Sequence, residues 1–142
     1  MTVRSVCVAL TALLVAASLS GCGSDAATSG PTTSRPPTRL TIEQQRSMVS
    51  ALCDSDRKSR AGDPVLGRAI YFEHAHESLH ILIEDVTRAD ETAGARLEGA
   101  HNQLETAFAY LKQKPEITAE LDLFRSALEA GSEVVGVDTT CP

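Results

Sequence analysis

The chain has 142 residues, with 13 basic and 19 acidic side chains and a formal net charge of −6. This length accommodates one ordinary domain, and an acidic chain without a basic cluster is a poor candidate for binding nucleic acid. Because there are three Phe, two Tyr and no Trp, the core must consist mainly of Leu, Ile, Val and Ala, a composition that favours helices.

Residues 1–21 have the features of an export signal. Arg4 gives a positive start, and residues 6–17 form an apolar run of 12 residues, too short to remain as a membrane-spanning helix. The segment Leu19-Ser20-Gly21-Cys22 resembles the lipobox of bacterial lipoproteins. This resemblance implies that Cys22 receives a diacylglyceryl group and becomes the mature N-terminus. The alternative is a plain secretory signal followed by an unrelated cysteine.

The resemblance implies a protein held at a membrane by lipid. Two or more acyl chains, palmitate among them, give stable anchoring, so we expect a lipid anchor in the cell membrane and a domain on its extracytoplasmic side. Without residues 1–21, 12 basic and 19 acidic side chains remain, a formal charge of −7. Such a chain is poorly suited to lying on an anionic bilayer by itself. Inner and outer membranes both remain open.

The mature chain divides into a tether and a domain. Residues 22–39 are rich in Gly, Ser, Thr and Pro and predict a disordered tether. Residues 40–142 predict an all-α domain, a small antiparallel bundle of four helices.

Capping patterns mark the first two helices. Thr41 and Gln44 form a capping-box pattern, and this helix is expected to end near Arg57 in a charged loop that reaches residue 63. Asp63-Pro64 predicts the start of a second helix that extends to about residue 88. Seven residues of the second helix share one stripe at spacings of three and four: Val65, Ala69, Phe72, His76, Leu79, Ile83 and Val86.

The boundary between the second and third helices is ambiguous. Asp90 can cap a third helix, but the apolar spacing continues in phase, so residues 64–113 are also compatible with one unbroken helix. We favour a break near Asp90, because a hairpin lets the chain bury its own stripe. Lys114-Pro115 predicts the last helix, with Gly131 as its C-cap and an irregular tail over residues 132–142. The inward residues of that helix are Ile117, Leu121, Phe124 and Leu128.

The four cysteines divide into two pairs by position. Cys7 lies in the signal and Cys22 is the lipidation site, which leaves Cys53 and Cys141. An even pair in a small extracytoplasmic domain is typical of a disulfide. A thiol metal site is the competing interpretation, but no second cysteine lies near either residue.

All four histidines lie between residues 74 and 101. At 100° per residue, His76 falls within the apolar stripe of the second helix, and His80 and Glu73 flank it on the same side. His101 holds the equivalent place on the third helix. If the chain reverses near residue 90, positions whose numbers sum to about 180 come level, and His76, His80 and His101 meet Glu105.

Imidazole and carboxylate ligands suit zinc, copper or iron. The sequence therefore indicates a transition-metal site formed by His76, His80 and His101, with Glu105 or Glu73 completing the ligand set. The alternative is that these histidines are boundary residues, hydrogen-bonded to neighbouring glutamates, and bind nothing.

The sequence contains no nucleophile, phosphate-binding or metalloprotease motif, so we do not expect an enzyme. We predict a lipid-anchored extracytoplasmic binding protein, with metal capture as the specific hypothesis. The alternative is a protein-interaction or envelope-structure module without a ligand. Ile70, Ile81 and Leu82 lie away from the main stripe and form a second apolar face. This face either packs on another helix of the bundle or meets a protein partner in the envelope.

Overall fold

The computed structural model describes residues 38–142, so the predictions for the signal, for lipidation of Cys22 and for most of the tether lie outside the described residues. The helices are α1 (Ile42–Arg60), α2 (Pro64–Ile70), a π-helical turn (Tyr71–Ala75), α3 (His76–Ala89), α4 (Glu91–Ala109) and α5 (Thr118–Val135). Since α2, the π turn and α3 follow one another without interruption, residues 38–142 form four helical segments and contain no strand. The predicted all-α class is confirmed.

The N-terminus of α1 has the predicted capping box. The Thr41 side chain accepts a hydrogen bond from the Gln44 amide at 3.2 Å, and the Gln44 side chain accepts one from the Thr41 amide at 2.9 Å. These bonds satisfy two amides that the helix itself leaves free. Ile42, however, is 59% exposed, so it does not belong to the buried face.

The prediction that α1 ends near Arg57 was wrong, because the helix continues to Arg60 and only residues 61–63 form the loop. Near the end of this helix two of the buried residues are serines, so a count of apolar residues does not locate the buried face. Ser55 and Ser59 face inward and are buried, and the Ser55 hydroxyl donates to the Gly67 carbonyl at 2.8 Å. A Cβ at Gly67 would lie 2.1 Å from Ser59 Oγ, so small residues on both helices allow this close approach.

The break at Asp90 is confirmed, and residues 64–113 are not one helix. Asp90 has extended backbone angles, φ −152° and ψ 104°, and its side chain accepts from the Ala93 amide at 2.9 Å. Next to this turn, a Cβ at Gly94 would lie 2.5 Å from the Thr87 Cα. Farther from the turn at Asp90, the ring centroids of Tyr71 and Phe108 lie 5.4 Å apart. Pairs whose numbers sum to about 180 are thus in contact, so α3 and α4 run in opposite directions.

The π turn changes which residues of the second helical segment are buried. The predicted stripe included Val65 and Phe72, but these side chains are 67% and 36% exposed. Tyr71 is fully buried instead. A π turn accommodates one additional residue, so residues before it are rotated by about one position relative to an uninterrupted α-helix. The buried residues here recur at spacings of four: Gly67, Tyr71, Ala75 and Leu79.

The prediction for the last helix was right about its buried face and wrong about its ends. Its four predicted inward residues are all buried. The helix begins at Thr118 and ends at Val135, and its C-cap is Gly136 at φ 73°, a left-handed conformation that favours glycine. Gly131 lies inside the helix, where a Cβ would be 3.1 Å from Leu97 Cδ2. Its role is therefore close packing between α5 and α4.

The predicted disulfide is present. Cys53 in α1 and Cys141 are bonded, with their Cα atoms 5.7 Å apart. The bond attaches the non-helical C-terminal segment to α1, which lies 88 residues earlier in the sequence.

Two residues that the sequence assigned to the tether belong to the domain. The carboxylate of Asp85, 2% exposed, accepts bonds from the Thr38 hydroxyl at 2.8 Å and from the Arg39 amide at 2.7 Å. The guanidiniums of Arg39 and Arg88 each donate to the same carboxylate at 2.8 Å. The domain therefore includes Thr38 and Arg39, because a chain that starts at residue 40 would lose three of these bonds.

The described residues belong to one compact unit. Their helices bury a single hydrophobic cluster, and the disulfide joins two parts of the same unit. Residues 33–142 thus contain a complete core, as expected of a domain that folds by itself. The partly buried Ile70 and Ile81 pack against this core. The second apolar face therefore packs within the bundle, which is one of the two roles that the sequence left open for it.

Candidate metal centre

The hairpin of α3 and α4 brings four polar side chains together. His76 and His80 lie one turn apart on α3, and His101 and Glu105 lie one turn apart on α4. Residues separated by four project from the same side of a helix. Because α3 and α4 are antiparallel, the two pairs meet at the same level.

The distances within this cluster are short. His76 Nε2 lies 3.1 Å from His80 Nε2 and 2.8 Å from Glu105 Oε1. His101 Nε2 lies 3.3 Å from the same Glu105 oxygen. One ring nitrogen from each of the three histidines can be chosen so that all three atoms lie within 4.8 Å of one another.

Hydrogen bonds alone do not account for these distances. A ring nitrogen carries either a hydrogen or a lone pair, so His76 Nε2 cannot accept from His80 and donate to Glu105 at the same time. Glu105 Oε1 has no hydrogen-bond partner among the described residues, despite its two short contacts with imidazole nitrogens. The two contacts to Glu105 Oε1 are thus short but lack hydrogen-bond directions, as is expected of atoms that point towards a common ion.

The separations match the spacing of ligands around a metal. For a tetrahedral ion with bonds of about 2.0–2.1 Å, neighbouring ligand atoms lie roughly 3.3 Å apart. The separations of 2.8, 3.1 and 3.3 Å are close to this value. Three of the six separations of a four-ligand set therefore suit zinc or a metal of similar size, and the three histidine nitrogens all lie within 4.8 Å of one another.

His101 is the buried member of the cluster. It is 1% exposed, and neither ring nitrogen has a hydrogen-bond partner within residues 38–142. Burial lowers the pKa of His101, and the negative charge of Glu105 opposes that shift only in part. The imidazole is therefore neutral at pH 7, the form that binds metals. A buried imidazole without partners is costly, unless a ligand bonds to it.

Two aromatic side chains pack against the cluster, the fully buried Tyr71 on its inner side and the partly exposed Phe72 nearer the surface. The Tyr71 ring centroid lies 5.9 Å from that of His76 and 6.3 Å from that of His101, and Phe72 lies 5.2 Å from His76. The Tyr71 hydroxyl is buried and has no hydrogen-bond partner in the part of the chain that the structure describes. Its pKa is raised by burial and by the negative charge of Glu105, so the phenol is neutral.

Sequence reasoning missed Tyr71 because the π turn places it on the inner face, and an α-helical stripe selected Phe72 instead. The signal available in the sequence was a series of residues spaced four apart that ends at Leu79. Glu73, predicted as an alternative ligand, does not join the cluster. It lies in the same π turn, its side chain is 71% exposed, and its contact is with His74 at 3.7 Å. His74 itself is exposed and lies outside the cluster.

Comparisons with known protein families, with curated proteins and with solved structures found no match for this chain. Within residues 38–142, each helix is too short or too polar to cross a bilayer. The interpretation of the cluster therefore depends on its own geometry.

Proposed function

We propose that this protein binds a transition metal ion, through His76, His80, His101 and Glu105, and holds it at the outer side of the cell membrane. The observation that carries the proposal is the position of His76 Nε2, at hydrogen-bond distance from both an imidazole nitrogen and a carboxylate oxygen. A shared cation satisfies both contacts, whereas one hydrogen would have to be divided between them in a bifurcated bond. Three nitrogen ligands and one oxygen ligand suit Zn²⁺, Cu²⁺ or iron.

The location is part of the proposal and comes from the sequence. The lipobox-like segment ending at Cys22 supports a lipid anchor, and Cys53 and Cys141 form a disulfide, which is typical of compartments outside the cytoplasm. A formal charge of −7 for residues 22–142 favours the approach of cations. We infer a binding protein and no catalytic activity.

Metal titration of residues 33–142 tests the proposal. We expect one equivalent of Zn²⁺ or Cu²⁺ in calorimetry, and retained metal in elemental analysis after gel filtration. His76→Ala and His101→Ala should each weaken binding at least 10-fold, because each removes one ligand. His74→Ala is the matched control, since this exposed histidine lies outside the cluster, and it should bind as the parent does.

The contrary result is well defined. If residues 33–142 bind no metal and retain a folded far-UV spectrum, the histidines are boundary residues and the proposal fails. The remaining interpretation is then an interaction module without a ligand. That interpretation allowed Ile70 and Ile81 to meet a protein partner, but these residues are partly buried against the core.

A further inference from the structure

The four side chains of the cluster differ greatly in exposure. His101 is 1% exposed, and the side chains of His76 and Glu105 are each 28% exposed. His80 is exposed to solvent. The fully buried Tyr71 packs on the inner side, next to His101 and His76. The site is therefore closed towards the core and open to solvent at His80.

We infer that the bound ion leaves this site by direct exchange with a chelating acceptor, which attacks at the open edge and displaces His80 first. This inference rests on the proposed metal binding and adds how the ion is released. It assigns the site to transfer of metal between ligands rather than to permanent structural use. The acceptor is a small chelator or a protein group with nitrogen or sulfur ligands.

The chemistry is a ligand substitution. Zn²⁺ can expand from four to five ligands, so an incoming donor atom bonds to the ion before the bond to the His80 nitrogen breaks. No electrons are transferred. If the incoming group is a thiol, its proton passes to solvent or to the imidazole that has been released. The buried His101 stays bonded until the last step, because its face of the ion is covered by the core.

The alternative to direct exchange is release from a closed site. A metal enclosed on all sides is released only after the fold opens, and the rate then depends on that opening and not on the acceptor. An ion with one exposed ligand is reached without unfolding. The dependence of the release rate on acceptor concentration therefore distinguishes an open site from a closed one.

The experiment uses residues 33–142 loaded with Zn²⁺ and mixed in a stopped-flow instrument with 4-(2-pyridylazo)resorcinol, which changes colour when it binds zinc. We expect a 10-fold increase in chelator to raise the initial rate about 10-fold. His80→Ala should release zinc faster at every chelator concentration, because the first ligand is already absent. His74→Ala, the control, should match the parent.

The outcomes separate the two proposals. If zinc binds and its release rate is independent of chelator concentration, the site is closed and the exchange inference is overturned, while metal binding stands. If His80→Ala leaves the rate unchanged, attack does not begin at His80 and the inference is also overturned. If the folded domain binds neither zinc nor copper, the proposed function and the exchange route fail together.

Discussion

Replacing Asp85 by Ala should destabilise the domain by about 2–4 kcal/mol. The carboxylate is 2% exposed and accepts four bonds. The bonds from the Arg39 amide and the Thr38 hydroxyl are worth about 1.5 kcal/mol each. The guanidiniums of Arg39 and Arg88 are about half exposed, so each adds only about 0.5 kcal/mol. The cost of burying the carboxylate offsets part of this sum.

Urea unfolding of residues 33–142, followed by circular dichroism at pH 7, measures this change. A chain comprising residues 40–142 provides an independent perturbation, because it lacks Thr38 and Arg39 but keeps Asp85. The two changes remove the same interactions, so their effects should not add. A loss below 1 kcal/mol for Asp85→Ala, or full additivity with the truncation, would refute the assigned role of Asp85.

The pH dependence gives a further check on the same residue. Burial alone would raise the pKa of Asp85, but the bonds that it accepts outweigh burial and lower the pKa. A carboxyl group with a lowered folded-state pKa contributes stability above its unfolded pKa of about 3.9, and this contribution is lost as the pH falls through the folded-state pKa. The stability difference between the parent and Asp85→Ala should therefore be constant at neutral pH and shrink below about pH 4.

Four other changes test the packing. Cys53→Ser with Cys141→Ser should lower the unfolding free energy by about 2–4 kcal/mol in urea titrations, because the bond closes a long loop; an unchanged midpoint would contradict this. Gly94→Ala should destabilise by roughly 1–3 kcal/mol, since its Cβ meets the backbone of α3, whereas Gly99→Ala, with open space around it, should stabilise by about 0.5–1 kcal/mol. Tyr71→Phe should raise the melting temperature, because it removes a buried hydroxyl that has no partner among residues 38–142, and a fall would show that the hydroxyl has one.

The helices were predictable where a local chemical signal marks them. Thr41 and Asp90 cap helices through their own side chains, and both were located from the sequence. The errors occurred where tertiary packing decides. Serines are buried at the end of α1 because Gly67 allows close approach. Gly131 looks like a helix end in the sequence, yet it is a contact point between two helices.

The candidate site was predictable because its geometry depends on one event, the reversal at Asp90. Once the hairpin is fixed, spacings of four on both helices determine that His76 and His80 meet His101 and Glu105. The open and closed sides of the cluster were not predictable, because they depend on the π turn. A strictly α-helical stripe places Phe72 inward and Glu73 beside the histidines, whereas the additional residue of the π turn buries Tyr71 instead. The same turn thus places the buried Tyr71 on the inner side of the cluster, next to His76 and His101.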